Sequence, residues 1–407
     1  MDARLAAERV ARQSYGRLIA ILAARTRDVA AAEDALSDAL AAALAVWPRE
    51  GVPDNPEGWL VAAAKRRLVD AWRHGAVEAG ARADLAVLGA EIVDADAGRP
   101  FPDERLELMF ICAHPAIDPA VRAPLMLQAV LGLDSARIAG AFLTAPSALA
   151  QRLVRAKHKI RDDAIPFEVP RPAELGARLQ DVLDGIYGAY GTGWDDIDGT
   201  DARNAGLTDE ARQLAEAVVL LLPGEPEPLG LLALLLFCDA RAAARRDAND
   251  RYVPLSQQDP ARWDRKALAA AEALLARAAK LGRLGPYQLE AAIQSAHCQR
   301  RLGAGVPGAA LLELYDGLIA LRPSIGAAVS RACALAEVAG ADAALADLGA
   351  LPADRVEGYQ PYWAVRAHLL ERAGREADAL KAYDMAIALA QSAPVKRYLL
   401  EKRRAGS

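Results

Sequence analysis

The sequence predicts an all-α protein, and three observations carry that reading. Alanine and leucine dominate the chain, apolar residues recur at helical spacing, and no alternating strand run of any length occurs. With 407 residues, two or three domains are expected, with cores large enough to need no metal or disulfide staple. A hydrophobic fraction of 53% and a charged fraction of 25% exclude wholesale disorder. The longest apolar run, Pro228–Cys238, is far too short to span a bilayer. Met1–Val10 carries acids and no apolar core of a secretory signal, so a cytoplasmic protein without a membrane partner is expected. Cys112, Cys238, Cys298 and Cys333 are scattered, and no CxxC pair occurs, which reads as free thiols in a reducing compartment.

Helix breaks are expected at Pro48–Pro56, Gly75–Ala79, Asp94–Pro102, His114–Pro119, Leu143–Pro146 and Pro166–Pro172. They divide the chain into a helical unit over 1–74, a linker over 75–102, a second small helical unit over 103–165 and a long helical extension over 173–407. The net charge of −5 conceals a pattern. Residues 1–165 hold 21 Lys/Arg against 22 Asp/Glu, yet residues 28–57 contain seven acids and one base. Lys65, Arg66, Arg67 and Arg73 then cluster against Asp70, and residues 147–161 carry five bases and no acid. Two compact basic segments separated by acidic ones say more than the sum.

The extension contains an internal repeat. Tyr315 and Tyr383 each open a Y-D-x-x-I-A-L run, and they stand 68 residues apart. Ala339-Gly340 and Ala373-Gly374 stand 34 apart, and about 34 residues is the length of a tetratricopeptide unit. In Tyr362–Ala393 the turn falls at 373–375, and Ala379, Leu380, Tyr383, Ala386 and Ile387 make the packing stripe. Residues 173–300 do not fit that period.

The strongest local pattern is in 134–161. Asp134 caps a short helix over Ser135–Phe142, a turn follows, and Pro146 suits the first position of the next helix. That helix, Ser147–Arg161, buries Leu149, Leu153, Ala156 and Ile160 and exposes Gln151, Arg152, Arg155, Lys157 and Lys159. A short helix, a tight turn and a basic second helix are the parts of a helix-turn-helix, whose second helix enters the major groove. A solvated basic helix face would show the same pattern.

In 53–73, Asp54 or Asn55 caps a helix opening at Pro56, with Trp59, Leu60, Ala63, Leu68 and Trp72 available to pack inward. Lys65, Arg66 and Arg67 stand in a row and cannot share one direction. The helix Asp28–Trp47 sets an apolar face of Ala32, Ala35, Leu36, Ala39, Leu40, Ala43 and Leu44 against a polar face of Glu33, Asp34 and Asp38. It reads as a docking surface for a partner or as an ordinary bundle helix.

Enzyme-like signals fail. Gly303–Gly308 matches GxGxxG but follows no strand and is interrupted by Pro307. No P-loop, HExxH or GxSxG occurs, and the five histidines lack ligand spacing, so no catalytic site, no cofactor and no metal is expected.

In this order, the three features resemble a bacterial RNA polymerase sigma factor of the extracytoplasmic-function group. The runs DVAAAEDALSDAL at 28–40 and PEGWLVAAAKRRLVDAWR at 56–73 resemble its region 2, and SARIAGAFL at 135–143 with ALAQRLVRAKHKIR at 148–161 resembles its region 4. The extension is similar to that of a subgroup with a tetratricopeptide-like domain, through LLPGEPEPLGLLAL at 221–234, QQDPARWDR at 257–265 and GPYQLEAAI at 285–293. The resemblance implies that Glu33, Asp34 and Asp38 face the clamp helices of the polymerase β′ subunit. It implies that Lys65, Arg66, Arg67 and Arg73 hold the −10 strand of promoter DNA, with Trp59 either a wall of the base pocket or simply buried. It also implies that Ser147, Gln151, Arg152, Arg155, Lys157 and Lys159 face the −35 element, Gln151 and Arg152 at base edges and Arg155, Lys157 and Lys159 at phosphates. The extension would then regulate in cis, with a protein or peptide as its partner. The competing expectation is a stand-alone helix-turn-helix regulator whose repeat domain senses a peptide; a repeat scaffold is a further one.

Overall fold

The computed structural model describes residues 3–26, 28–79, 103–142, 144–163, 165, 170–196 and 206–405. The expected break at Asp94–Pro102 and most of the linker lie outside them. Among the described residues there are twenty α-helices, three single-turn 3₁₀ segments and no strand beyond an isolated bridge between Arg246 and Tyr252. The chain divides into two units. The first comprises 1–194 and 202–221, the second 195–201 and 222–407.

The first unit opens with α1 (Ala3–Gln13), α2 (Tyr15–Thr26), α3 (Val29–Glu50) and α4 (Pro56–Ala79). Asp28 caps α3 by accepting from the Ala31 amide at 3.1 Å. Pro48 does not end this helix. It sits exposed in the last turn, where one missing amide is tolerated, and α3 stops at Gly51, whose φ of +90° only glycine adopts freely. Asn55, not Asp54, caps α4, accepting from the Gly58 amide at 2.9 Å. The expected break at Gly75–Ala79 does not occur: α4 runs to Ala79, five residues past the expected end of the first unit. A glycine inside a helix costs only about 1 kcal/mol, and Ala76, Val77, Glu78 and Ala79 carry no breaker.

Four further helices follow, α5 (Glu104–Cys112), α6 (Pro119–Ala129), α7 (Ser135–Ala141) and α8 (Pro146–Asp162). Asp103, Asp118 and Asp134 cap α5, α6 and α7 by accepting from amides of their own first turns. The hairpin α7–α8 lies where the sequence places it.

The unit closes with α9 (Pro172–Asp195) and α10 (Leu207–Leu221), which lie within the expected extension but pack on the helices before it. Arg122 on α6 bonds Asp181 on α9 at 2.8 Å. The buried Arg178 on α9 donates to the Phe110 carbonyl of α5 at 3.1 Å. Arg105 on α5 bonds Glu210 on α10 at 2.7 Å. Gly185 lets α9 approach Met109 and Met126, where a Cβ would come within 3.0 Å of both side chains. The contacts therefore do not divide the chain at residue 173.

The second unit stacks helical hairpins. Its elements are α11 (Pro226–Asp239), α12 (Arg265–Lys280), α13 (Pro286–Arg301), α14 (Gly308–Leu321), α15 (Ile325–Val338), α16 (Ala341–Gly349), α17 (Ala353–Val356), α18 (Gln360–Arg372), α19 (Glu376–Leu389) and α20 (Ala393–Ala405). Helix α11 is apolar all round and is buried by α12 and α13. Its Glu227 carboxylate caps α13, accepting from the Tyr287 and Gln288 amides at 3.0 and 3.2 Å. Gly340 and Gly374, spaced 34 residues apart, both take positive φ, +88° and +70°, at hairpin turns. Tyr315 and Tyr383 are buried in successive cores, and Tyr383 donates to Glu371 at 2.9 Å.

Candidate nucleic-acid interface

In α8, Leu149, Leu153, Ala156 and Ile160 are buried, the four residues that helical spacing selects. They face α6 and α7, and so fix which residues face out. Ser147, Gln151, Arg152, Arg155 and Lys159 are exposed on the outer surface. Lys159 bonds Asp163 at 2.6 Å across one turn, an exposed pair that a phosphate can replace at little cost. Two further outward residues went unread in the sequence. Val154 is 55% exposed, and His158 stands one turn on, hydrogen-bonded to Arg161 at 3.1 Å. Their signal was their absence from the buried stripe. The face combines fork-shaped donors, an amide and an apolar group, which together match guanine, adenine and thymine-methyl edges in a major groove.

Lys157 departs from this face. Its side chain is only 11% exposed and meets Glu33 of α3, itself 18% exposed, at 2.5 Å. The structure thus joins a residue expected on phosphate to one expected on the polymerase, rather than leaving each on its own surface. Burial raises the Glu33 carboxyl above its usual range, Lys157 opposes that rise, and Asp34 and Asp28 add to it. The second carboxylate oxygen, Oε1, is buried without a hydrogen bond.

On α3, Asp34 and Asp38 are exposed as the sequence predicts, and Ala32, Ala35, Leu36, Ala39 and Ala43 are buried. Leu40 is half-buried, and Leu44, expected on the apolar face, is 50% exposed. The stripe drifts around the helix until position 47 takes over its place in the core, and Trp47 is 2% exposed. Trp59 of α4 is half-buried, edge-on to Trp47 with ring centroids 5.5 Å apart. It is therefore packed on one face and open on another. Lys65 is half-buried, while Arg66 and Arg67 are exposed, so the basic row does splay. Arg66 donates to the Ala62 carbonyl at 3.3 Å, and Arg67 lies 4.0 Å from Asp38. The side chains of Trp72 and Arg73 lie outside the described residues.

Among the described residues no group of three or more His, Cys, Asp or Glu is placed to hold a metal, and no helix is long and apolar enough to cross a membrane.

Comparison with known proteins gives two family matches and one relative. Residues 10–76 match sigma-70 region 2. Residues 178–279 match a family of unknown function, DUF6596. An uncharacterized protein of Rhizobium meliloti (strain 1021) is 35% identical over 378 residues, covering 92% of this chain and 89% of the relative. No solved structure matches.

Proposed function

We propose that the chain is a sigma-70 family factor, and within that family a promoter-specificity factor of the extracytoplasmic-function group with a regulatory helical extension; the match of residues 10–76 to sigma-70 region 2 supports the first step. Sigma-70 proteins are transcription factors rather than enzymes. The observation that carries the finer reading is an order of parts: the region 2 match over 10–76 is followed by a helix-turn-helix with an outward face of Gln151, Arg152 and Arg155.

In this reading α3 presents Asp34, Asp38 and, once uncovered, Glu33 to a basic surface of core RNA polymerase. Helix α4 brings Lys65, Arg66, Arg67 and Arg73 to the −10 strand, where the open face of Trp59 offers a base a stacking partner worth roughly 1–3 kcal/mol. Helix α8 reads the −35 element, with Gln151 and Arg152 at base edges, Ser147 at the groove entrance, and Arg155, Lys157 and Lys159 at phosphates. The second unit, with glycine-turned hairpins at a spacing of 34, supports a tetratricopeptide-like extension that receives a protein or peptide signal and acts in cis, in the cytoplasm. No cofactor takes part.

The test is co-purification with bacterial core RNA polymerase, scored by run-off transcription from the DNA upstream of the protein's own gene. A complex that initiates is the expected result, and reversing Asp34 and Asp38 to lysine should abolish it while leaving the helical circular dichroism unchanged. Tight operator binding without any polymerase complex would overturn the reading in favour of a stand-alone regulator.

A further inference from the structure

Two charged side chains are buried among the described residues, Arg178 and Arg241, 8% and 5% exposed. Arg178 has the Glu174 carboxylate at 3.6 Å. Arg241, just past the end of α11 in the second unit, has no carboxylate at ion-pair distance among the described residues. Its Nε donates to the Phe237 carbonyl at 3.0 Å, where the negative end of α11 welcomes it. Its Nη2 donates to Oε1 of Gln294 on α13 at 2.5 Å and lies 3.8 Å from the Cys238 sulfur. Nη1 donates to nothing among the described residues, and it is not one of the atoms sealed from solvent, so the open 5% of the side chain includes it. A guanidinium withdrawn from water without a counter-charge is costly, and a carbonyl and an amide offset that cost only in part.

The acids of the neighbourhood answer to other cations. Glu337 bonds Arg300 at 2.7 Å. Asp195, which the contacts place in the second unit, is pushed up by desolvation and held down by Arg245. His297, one turn on from Gln294, is lowered to about 4 by burial with Arg241 and Arg300 close by, so at neutral pH it brings a polar ring and no charge. Two donors beside Arg241 are also unspent. Gln294 uses only its carbonyl oxygen, and the Tyr252 hydroxyl has no hydrogen-bond partner among the described residues. Burial raises that hydroxyl and the charges of Arg245 and Arg241 oppose the rise, which sets Tyr252 beside the same cation. Tyr252 is carried there by the one long connection of the unit. Residues 240–264 join α11 to α12 in 25 positions, where the other connections between its helices take two to six. A long ordered loop in a compact domain is commonly a functional one. This one is closed at its base by the Asp264 amide on the Ala240 carbonyl at 2.9 Å and tied to α13 by Arg301 on the Gln258 carbonyl at 2.6 Å. Its Tyr252 ring stands edge-on to Tyr398 of α20, with centroids 5.7 Å apart.

We infer that Arg241, Gln294 and Tyr252 form a binding site in the second unit for a small molecule that carries a compact oxyanion, a carboxylate or a phosphate. The oxyanion supplies the counter-charge that Arg241 lacks, accepting from Nη1, from the Gln294 amide and from the Tyr252 hydroxyl. Arginine suits this role because its planar fork presents several donors to one oxyanion. The 240–264 connection brings Tyr252 to the ligand and holds it against the last helix of the stack, so an occupied site would tie the first hairpin of the unit to α20. Binding needs no covalent step. The inference stands on the second unit alone and does not depend on the sigma reading.

The experiment follows thermal unfolding of the full chain at neutral pH and constant ionic strength, with potassium chloride replaced by potassium phosphate or potassium acetate up to about 20 mM. The parent chain should gain at least about 2 °C, saturably, because an anion that binds only the folded state raises its melting temperature. A gain in phosphate alone identifies a phosphate ligand, and a gain in acetate alone a carboxylate. Arg241→Met keeps most of the side-chain volume and removes the charge. It should lose the gain, and in chloride it should melt no lower than the parent, because it relieves an unpaired buried cation. Tyr252→Phe keeps the ring against Tyr398 and should need about threefold more anion for half its gain. No gain in the parent chain, or an equal gain in Arg241→Met, would overturn the site. If Arg241→Met fails to fold, Tyr252→Phe and Gln294→Leu decide, and half-gain concentrations unchanged in both would overturn it. No transcription is read, so the sigma reading stands or falls separately.

Discussion

His297 on α13 shows how one side chain makes a fold sensitive to pH. Burial, with Arg241 and Arg300 close by, lowers its imidazole from 6.5 to about 4, and Glu337 only partly opposes this. The folded state therefore holds the ring neutral, while the unfolded chain takes up a proton near pH 6.5. The unfolded state binds more protons between those values, so stability is fully present above about pH 6.5 and falls as the pH drops toward 4. The difference of about 2.5 pH units corresponds to roughly 3 kcal/mol. In urea melts at pH 7 and pH 4.5, the parent chain should lose about 2–3 kcal/mol more than a His297→Leu variant. Equal losses would show that His297 is not the group responsible. Cys112 makes the opposite point about reactivity. Complete burial pushes its thiol up to about 12, so it is core material rather than a nucleophile.

At the scale of the element, α8 separates a buried stripe from an exposed basic face residue by residue, and the proposed function assigns DNA recognition to that exposed face. Leu153 is 1% exposed and Arg152 beside it is exposed. Leu153→Ala should cost about 2–5 kcal/mol in urea melts, through lost burial and a residual cavity. Arg152→Ala should change stability by less than about 0.5 kcal/mol yet weaken specific DNA binding by about 1–3 kcal/mol. Equal effects of the two substitutions on the melt would mean that α8 is not mounted as described. This helix was readable in the sequence because the buried stripe 149, 153, 156, 160 follows the 3.6-residue period, and Asp134 and Pro146 mark where two helices begin. The same reasoning misplaced Leu44, because an exposed leucine satisfies the period as well as a buried one. It also placed a break at Gly75, because a lone glycine in a run of helix formers is a weak stop. Above all it left Lys157 on the DNA face. Helical spacing puts that residue at the edge of the exposed arc, and only Glu33, 124 positions earlier, turns it inward. Contacts of that sequence separation leave no mark on local pattern.

At the scale of the whole molecule, the boundary of the first unit determines which fragments can be studied. The proline-rich stretch at 165–172 marks a natural end in the sequence, and a fragment ending there would contain both parts proposed to face DNA. The structure gives three reasons to cut later. Arg122 and Arg105, only 13% and 14% exposed at the side chain, find carboxylate partners in Asp181 and Glu210, beyond that end. Glu210 is itself pushed up by burial and held down by Arg105, which keeps a second partner in Asp103 at 2.6 Å, so the dependence runs mainly from Glu210 to Arg105. Phe110, Met109 and Met126 are covered by α9 through Arg178 and Gly185. Removing α9 and α10 would expose this apolar surface and leave Arg122 without Asp181. Such losses commonly cost about 3–5 kcal/mol for a broken buried pair, against a domain stability of about 5–15 kcal/mol. A fragment 1–221 should therefore unfold in one cooperative transition, while 1–171 should melt at least about 10 °C lower or aggregate. Calorimetry of the two fragments side by side decides it. Equal melting temperatures would mean that α9 and α10 rest on the unit without stabilising it. The expected difference would make α9 and α10 structural members of the first unit, joined to α5 and α6 through the Arg122–Asp181, Arg105–Glu210 and Arg178–Phe110 contacts.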